Sequence, residues 1–108
     1  MTILQLKRGD LLPDLVATVT DPDATFDAVT SWRILLYKGG QPLIVDTAPA
    51  VAVSPDTHTV TVTHAWQAGQ TDTVGRMVGE VEATWPGGLT QTYPATSYLL
   101  IQIGDDLG

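Results

Sequence analysis

Two histidines are the residues of this chain with the most versatile chemistry, and they lie in one short stretch. His58 and His64 bound the heptapeptide HTVTVTH, which alternates apolar and polar residues as a β-strand does. On a strand the two side chains share a face but lie roughly 20 Å apart. One metal ion could not contact both within that strand. The pattern therefore predicts two exposed or edge histidines and no metal site.

Aspartates cluster in two predicted loops. Asp21-Pro22-Asp23 and Gly104-Asp105-Asp106 each place two carboxylates close together, and calcium prefers carboxylate oxygens as ligands. Neither cluster has the spacing of an EF-hand loop, and aspartate is a common turn residue. The sequence predicts turns at both places, and it predicts no metal or other cofactor.

Carboxylates and nucleophiles give no sign of catalysis. Glu80 and Glu82 share the solvent side of a predicted strand, where they add solubility. The chain has no cysteine and no Gly-x-Ser-x-Gly nucleophile elbow. It also has no Gly-x-Gly-x-x-Gly or Walker-type phosphate loop. We therefore expect a protein that is not an enzyme.

Three tryptophans are candidate platforms for stacking sugars. Trp32 lies on the apolar face of a strand, and Trp66 begins a loop that covers one end of the core. Trp85 stands beside the turn Pro86-Gly87-Gly88, and with Tyr93 it forms the candidate site for glycan contact. Aromatic residues make up only 6% of the chain, so packing at the core or its rim is favoured over a glycan site.

Composition limits the partners. The chain of 108 residues is 44% hydrophobic, enough for one domain with a proper core. Five Lys and Arg stand against twelve Asp and Glu, for a net charge of −7. This balance argues against binding to nucleic acid or to an anionic membrane. The N-terminal residues do not resemble a signal peptide and no stretch is apolar enough to span a bilayer, so we expect synthesis in a cytoplasm.

Alternation with a period of two recurs along the chain and predicts strands. The clearest predicted strands are Leu15–Thr20, Thr30–Tyr37, Thr59–Thr63, Arg76–Trp85 and Tyr98–Ile103. Glycine and proline turns separate them, with hairpins at Lys38-Gly39-Gly40-Gln41 and Pro86-Gly87-Gly88. Residues 65–75 are long enough for a helical turn or an ordered loop.

These elements predict an all-β protein. We expect an antiparallel β-sandwich of about seven strands. A single domain spans residues 1–108, and residues 104–108 form a short polar tail.

The triplet Arg8-Gly9-Asp10 is a known cell-adhesion signal, but its surroundings favour a structural role. Apolar residues flank it on both sides, and glycine and aspartate are common turn residues. An adhesion signal needs the tip of an exposed loop. The context predicts a kink between two strand segments.

Several fragments in order resemble one family. They are RGDLLP (8–13), LVATVTD (15–21), WQAGQTDTVG (66–75), GEVEATWPGG (79–88) and TYP (92–94). Together they resemble the N-terminal immunoglobulin-like domain of upper baseplate proteins of tailed bacteriophages and related stand-alone phage structural modules. The resemblance implies that Gly9 and Asp10 open the fold. It also implies a small module that docks onto another virion protein.

The resemblance and the composition lead to one expected function and one alternative. We expect a non-enzymatic virion protein on the tail, the baseplate or the capsid surface, held by contacts with other virion proteins or with further copies of itself. Thr2, Ile3, Leu4, Gln5 and Leu6 are the candidate partner-binding residues, because a terminal strand can pair with a neighbour. They can equally form the domain's own first strand. The alternative is a carbohydrate-binding module that contacts the host envelope through Trp85 and Tyr93.

Overall fold

A computed structural model describes residues 3–93 and 99–105, and within these residues the chain forms nine β-strands. They are β1 (Ile3–Lys7), β2 (Leu15–Thr20), β3 (Ser31–Lys38), β4 (Gln41–Asp46), β5 (Ala50–Val53), β6 (Thr59–His64), β7 (Gly75–Thr84), β8 (Thr90–Tyr93) and β9 (Leu99–Gly104). One turn of 3-10 helix, Phe26–Ala28, lies between β2 and β3. In the described part of the chain no helix is long and apolar enough to cross a membrane.

The strands form two sheets that pack against each other. In the six-stranded sheet β1, β9, β7, β3 and β4 lie side by side, and β8 also pairs with β7. In the three-stranded sheet β6 lies between β2 and β5. The predicted all-β sandwich is thereby confirmed. Trp32, on the third strand, is buried between the sheets.

Two details of the sandwich differ from the expectation. Nine strands are described where about seven were expected, because the short apolar segment Ala50–Val53 and the polar segment Thr90–Tyr93 also pair. The sheets are also not wholly antiparallel, since β1 runs parallel to β9. Neither difference could be predicted from alternation, because each depends on a pairing partner elsewhere in the chain.

Alternation decides which side chains form the core. In β6, Val60 and Val62 are fully buried, while the threonines between them are half-buried. In β7, Val81 is fully buried, and Glu80 and Glu82 point to the outer side as predicted. A fully buried valine or isoleucine contributes about 1.5–3 kcal/mol relative to an exposed one. Facing strands of the two sheets therefore hold the sandwich together.

The loop and the tail predicted from sequence have definite places. Residues 65–74 form an ordered loop with turns, not a helix, and Gly75 already belongs to β7. The polar tail predicted for residues 104–108 begins one residue later, because Gly104 is the last residue of β9. Asp105 lies 3.1 Å from Arg8 in an ion pair, and residues 106–108 are outside the described part.

Candidate functional site

The candidate partner-binding residues Thr2 to Leu6 fall mostly on β1. Thr2 is outside the described residues. The segment Ile3–Lys7 pairs with β9, with Gln5 opposite Gln102, and the Leu6 side chain is buried in the core. The segment is therefore the domain's own first strand. The opposite edge of β1 pairs with no strand in residues 3–93 and 99–105, and docking of a neighbour there stays a prediction.

Trp85 and Tyr93, the candidate glycan contacts, pack around Phe26. Tyr93 meets the Phe26 ring edge-on with centroids 5.8 Å apart, and the half-buried Trp85 stacks on it at 6.4 Å. The Tyr93 hydroxyl donates a hydrogen bond to Asp21 Oδ2 at 3.2 Å. Burial and this bond raise the pKa of Tyr93 to about 12. Neither ring stands clear of the core, and glycan contact stays a prediction without support from this placement.

His64 shows that the expectation of exposed or edge histidines was wrong for one of the two. Its side chain is buried at the end of β6, and its ring meets the Trp66 ring edge to face at 5.1 Å. Its Nδ1 lies 2.7 Å from Asp46 Oδ2, and its Nε2 lies 2.9 Å from Gln70 Oε1. Because Asp46 belongs to β4, one ring links the two sheets and the loop that follows β6.

The position of His64 was readable from the strand alternation. His64 has the same parity as Val60 and Val62, which are inward on β6, so the pattern already placed it on the core side. His58 stands just before the strand and is half-buried. Its Nδ1 lies 2.7 Å from the carbonyl oxygen of Ala24.

The pair of His64 and Asp46 has the composition of part of a hydrolytic site, but not its geometry. A histidine that acts as general base needs a ring nitrogen within reach of the substrate. Here Nδ1 is held by Asp46 and Nε2 by Gln70. The Gln70 side-chain oxygen also accepts the backbone N–H of Gln67 at 2.9 Å. Both ring nitrogens are therefore engaged, and the arrangement ties the sheets together.

A groove of about 470 Å³ opens beside His64. Asp14 and Asp46 give its wall negative charge, and Val45 and Pro49 give it an apolar part. No group of three or more histidine and carboxylate side chains in the described part of the chain could hold a metal ion. The groove is an acidic recess at one end of the three-stranded sheet.

The outer side of the three-stranded sheet carries no charge. Eight side chains point outward from β2, β6 and β5, and the strand registers arrange them in rows. The rows are Val16, Thr63 and Ala50; Thr18, Thr61 and Ala52; and Thr20 with Thr59. We call these eight residues the threonine face. All eight side chains are short, and the hydroxyls of Thr20 and Thr59 lie 3.2 Å apart.

The outer side of the six-stranded sheet is different. Its central strands carry Arg33 and Glu82, which form an ion pair at 2.6 Å, together with Glu80. Charged side chains of both signs are typical of a surface that faces water. The threonine face lacks charged side chains, whereas the outer side of the six-stranded sheet combines them with the exposed Leu43 and Val45.

The protein's charge is divided unevenly between segments. Residues 11–32 and 39–75 contain seven aspartates and neither lysine nor arginine. They include the whole three-stranded sheet, β4 and the loops between. The rest of the chain holds all five basic residues and five acidic ones. The net charge of −7 is therefore carried by the segments around the threonine face.

Aspartates lie at both ends of the threonine face. Asp14 precedes β2 by one residue, and Asp21 and Asp23 follow its last residue. Asp56 lies in the turn before β6 and accepts hydrogen bonds from the Ser54 hydroxyl and the His58 backbone N–H. These bonds, the one from Ser54 foremost, hold the pKa of Asp56 below its usual range. Asp56 therefore keeps its charge to a lower pH than an ordinary aspartate.

The Arg8-Gly9-Asp10 triplet forms a turn that is hydrogen-bonded to the loop after β6, and its residues are exposed, as are Leu11 and Leu12. Gly9 has a φ of +87°, which favours glycine. Its N–H donates to the carbonyl oxygen of Thr71 at 3.0 Å, and the buried Thr71 hydroxyl donates to the Asp10 carbonyl oxygen at 2.7 Å. Two of the fragments that carry the family resemblance are thus in contact.

Comparison with protein-family models and with curated protein sequences gave no match to this chain. The fold and the surface described above are therefore the basis for any functional conclusion, together with the resemblance of the sequence fragments.

Proposed function

We propose that this protein is a non-enzymatic structural component of a tailed-bacteriophage particle. It docks onto other virion proteins at the tail, the baseplate or the capsid surface. The observation that carries the proposal is the uncharged threonine face on one side of a small sandwich. The resemblance of the sequence fragments to phage baseplate modules points to the same class of protein.

The threonine face is suited to a protein interface for two physical reasons. A charged group costs several kcal/mol to remove from water unless it finds a partner, and this face has none to remove. Threonine, alanine and valine also lose less rotamer freedom on burial than lysine or glutamate. Covering the face therefore costs little, and its hydroxyls can still form hydrogen bonds with a partner.

The size of the face limits how the module can bind. Strand spacing and rise give it an area of about 300 Å². A standard stable interface buries about 800 Å² on each partner. The loops at the ends of the face must therefore contribute contacts as well. Repetition on a symmetric particle would strengthen the attachment further.

A competition for places on the particle tests the proposal. Cells infected with the phage that encodes the protein are supplied with wild-type and Thr61→Arg chains together. Mass spectrometry then measures the ratio of the two in the lysate and in purified particles. Thr61 lies at the centre of the threonine face, so the variant should be depleted at least tenfold in the particles.

The matched control is Thr84→Arg, the same change on the outer side of the six-stranded sheet. It should be incorporated like the wild type. Circular dichroism of both variants checks that they fold. Absence of the wild-type protein from particles would overturn the proposal, and so would equal incorporation of the Thr61→Arg chain.

A further inference from the structure

Aspartates lie at both ends of the strands that form the threonine face. Asp14 and Asp46 lie at the end where β2 begins, and Asp23 and Asp56 lie at the end where β2 finishes. A six-residue strand separates the two ends by about 20 Å. Residues 11–32 and 39–75, which surround the face, contain neither lysine nor arginine. Asp46 is paired with His64, and no lysine or arginine of these segments offsets the charge of the other aspartates.

We infer that the threonine face binds a virion protein that presents an uncharged patch flanked by two basic groups, each containing lysine, about 20 Å apart. This inference rests on the proposed function and names the chemistry of the partner. Complementary charge at the rim of an interface steers association and fixes its orientation. The uncharged centre avoids the desolvation of charges.

A second copy of this chain fits the face less well. Its basic residues belong to the six-stranded sheet and its borders, and several are already engaged there. Arg33 is paired with Glu82, and Arg8 with Asp105. The Lys38 ammonium donates to the carbonyl oxygen of Val74 at 3.3 Å. A partner with free basic groups matches the acidic ends better than this protein matches itself.

The groove beside His64 extends the surface at one end. Thr63 and Ala50 belong both to the threonine face and to the groove, so the two are continuous. The groove's volume of about 470 Å³ and its Asp14 wall suit the insertion of a long basic side chain. The Asp14 end is thus the place where a partner's lysine or arginine should be held most closely.

Zero-length cross-linking on purified particles tests the inference directly. A carbodiimide joins carboxylates to lysine amines that touch them, and mass spectrometry identifies the joined residues. Asp14 and Asp23 should be joined to lysines of another virion protein. Glu80, on the opposite outer side, should show no such link.

The other outcomes of the cross-linking experiment contradict either this inference or the proposed function. Particles that contain the protein but show partner links only from Glu80, or none from Asp14 and Asp23, would overturn the inference and leave the proposed function standing. Links from Asp14 or Asp23 to Lys7 or Lys38 of a second copy, in a dimer-sized product, would overturn it in favour of self-association. Particles without the protein would overturn the proposed function and this inference with it.

A charge-matched pair of variants gives a second measurement. The double change Asp14→Asn with Asp23→Asn and the single change Glu80→Lys alter the net charge equally. In the competition for places on the particle, the double variant should be depleted about fivefold, as expected for two rim charges. Glu80→Lys should be incorporated like the wild type. Equal incorporation of both variants would contradict a basic partner.

Discussion

Replacement of His64 by alanine should strongly destabilise the protein, because the ring links both sheets and the loop after β6. The ring Nδ1 lies 2.7 Å from an oxygen of the Asp46 carboxylate, and Nε2 lies 2.9 Å from the Gln70 amide oxygen. A hydrogen bond to a charged group contributes about 1.5–3 kcal/mol and a neutral one about 0.5–1.5 kcal/mol. The edge-to-face contact with Trp66 adds about 0.5–1.5 kcal/mol. The expected loss in free energy of unfolding is therefore about 3–5 kcal/mol.

Urea unfolding followed by tryptophan fluorescence measures this loss. With an m-value of about 1.5 kcal/mol/M, the midpoint should fall by about 2 M or more. The control is His58→Ala, which removes the same residue type just before the same strand. Among the described residues the His58 side chain makes one hydrogen bond, to the carbonyl oxygen of Ala24, so its loss should cost about 1 kcal/mol. Similar midpoints for the two variants would refute the role assigned to His64.

Two further predictions concern the core. Gly79→Ala should lower the free energy of unfolding by about 1–3 kcal/mol, because a Cβ there would lie 2.9 Å from a Leu36 methyl carbon. The control is Gly104→Ala, whose Cβ would have no contact closer than 3.8 Å and which should leave thermal unfolding nearly unchanged. Tyr93 has a pKa of about 12 in the fold and about 10 when unfolded, so its stabilising effect is complete below pH 10 and is lost as the pH rises towards 12. Urea midpoints measured between pH 8 and pH 11.5 should therefore fall less in Tyr93→Phe than in the wild type. An equal fall in both would contradict this account of the Asp21 contact.

The positions of the strands could be predicted where apolar and polar residues alternate and where turns lie on both sides. β6 and β7 followed from their alternation alone, and Trp32, predicted on the apolar face of its strand, is buried there with Ile34 and Leu36. The parallel pairing of β1 with β9 was not predictable, because it joins opposite ends of the chain. Local propensity holds no information about such a partner.

The surface was harder to predict than the core. Alternation of the kind seen in HTVTVTH places the threonines of β6 on the outer side, but the sequence of one strand does not show which strands lie beside it. Only the registers with β2 and β5 bring alanine, valine and further threonines into the same rows. The absence of lysine and arginine from residues 39–75 was visible in the sequence. That this leaves one sheet face without positive charge became clear only from the structure, in which the segment contributes two of the three strands.

The orientation of the domain on a particle is the most direct test of the account. A reconstruction of the purified phage by electron microscopy, at a resolution that separates the two sheets, would provide it. The account predicts that the three-stranded sheet faces a neighbouring virion protein, with the six-stranded sheet and its charged outer side towards solvent. A domain attached by the six-stranded sheet, with the rows of threonines open to water, would contradict it.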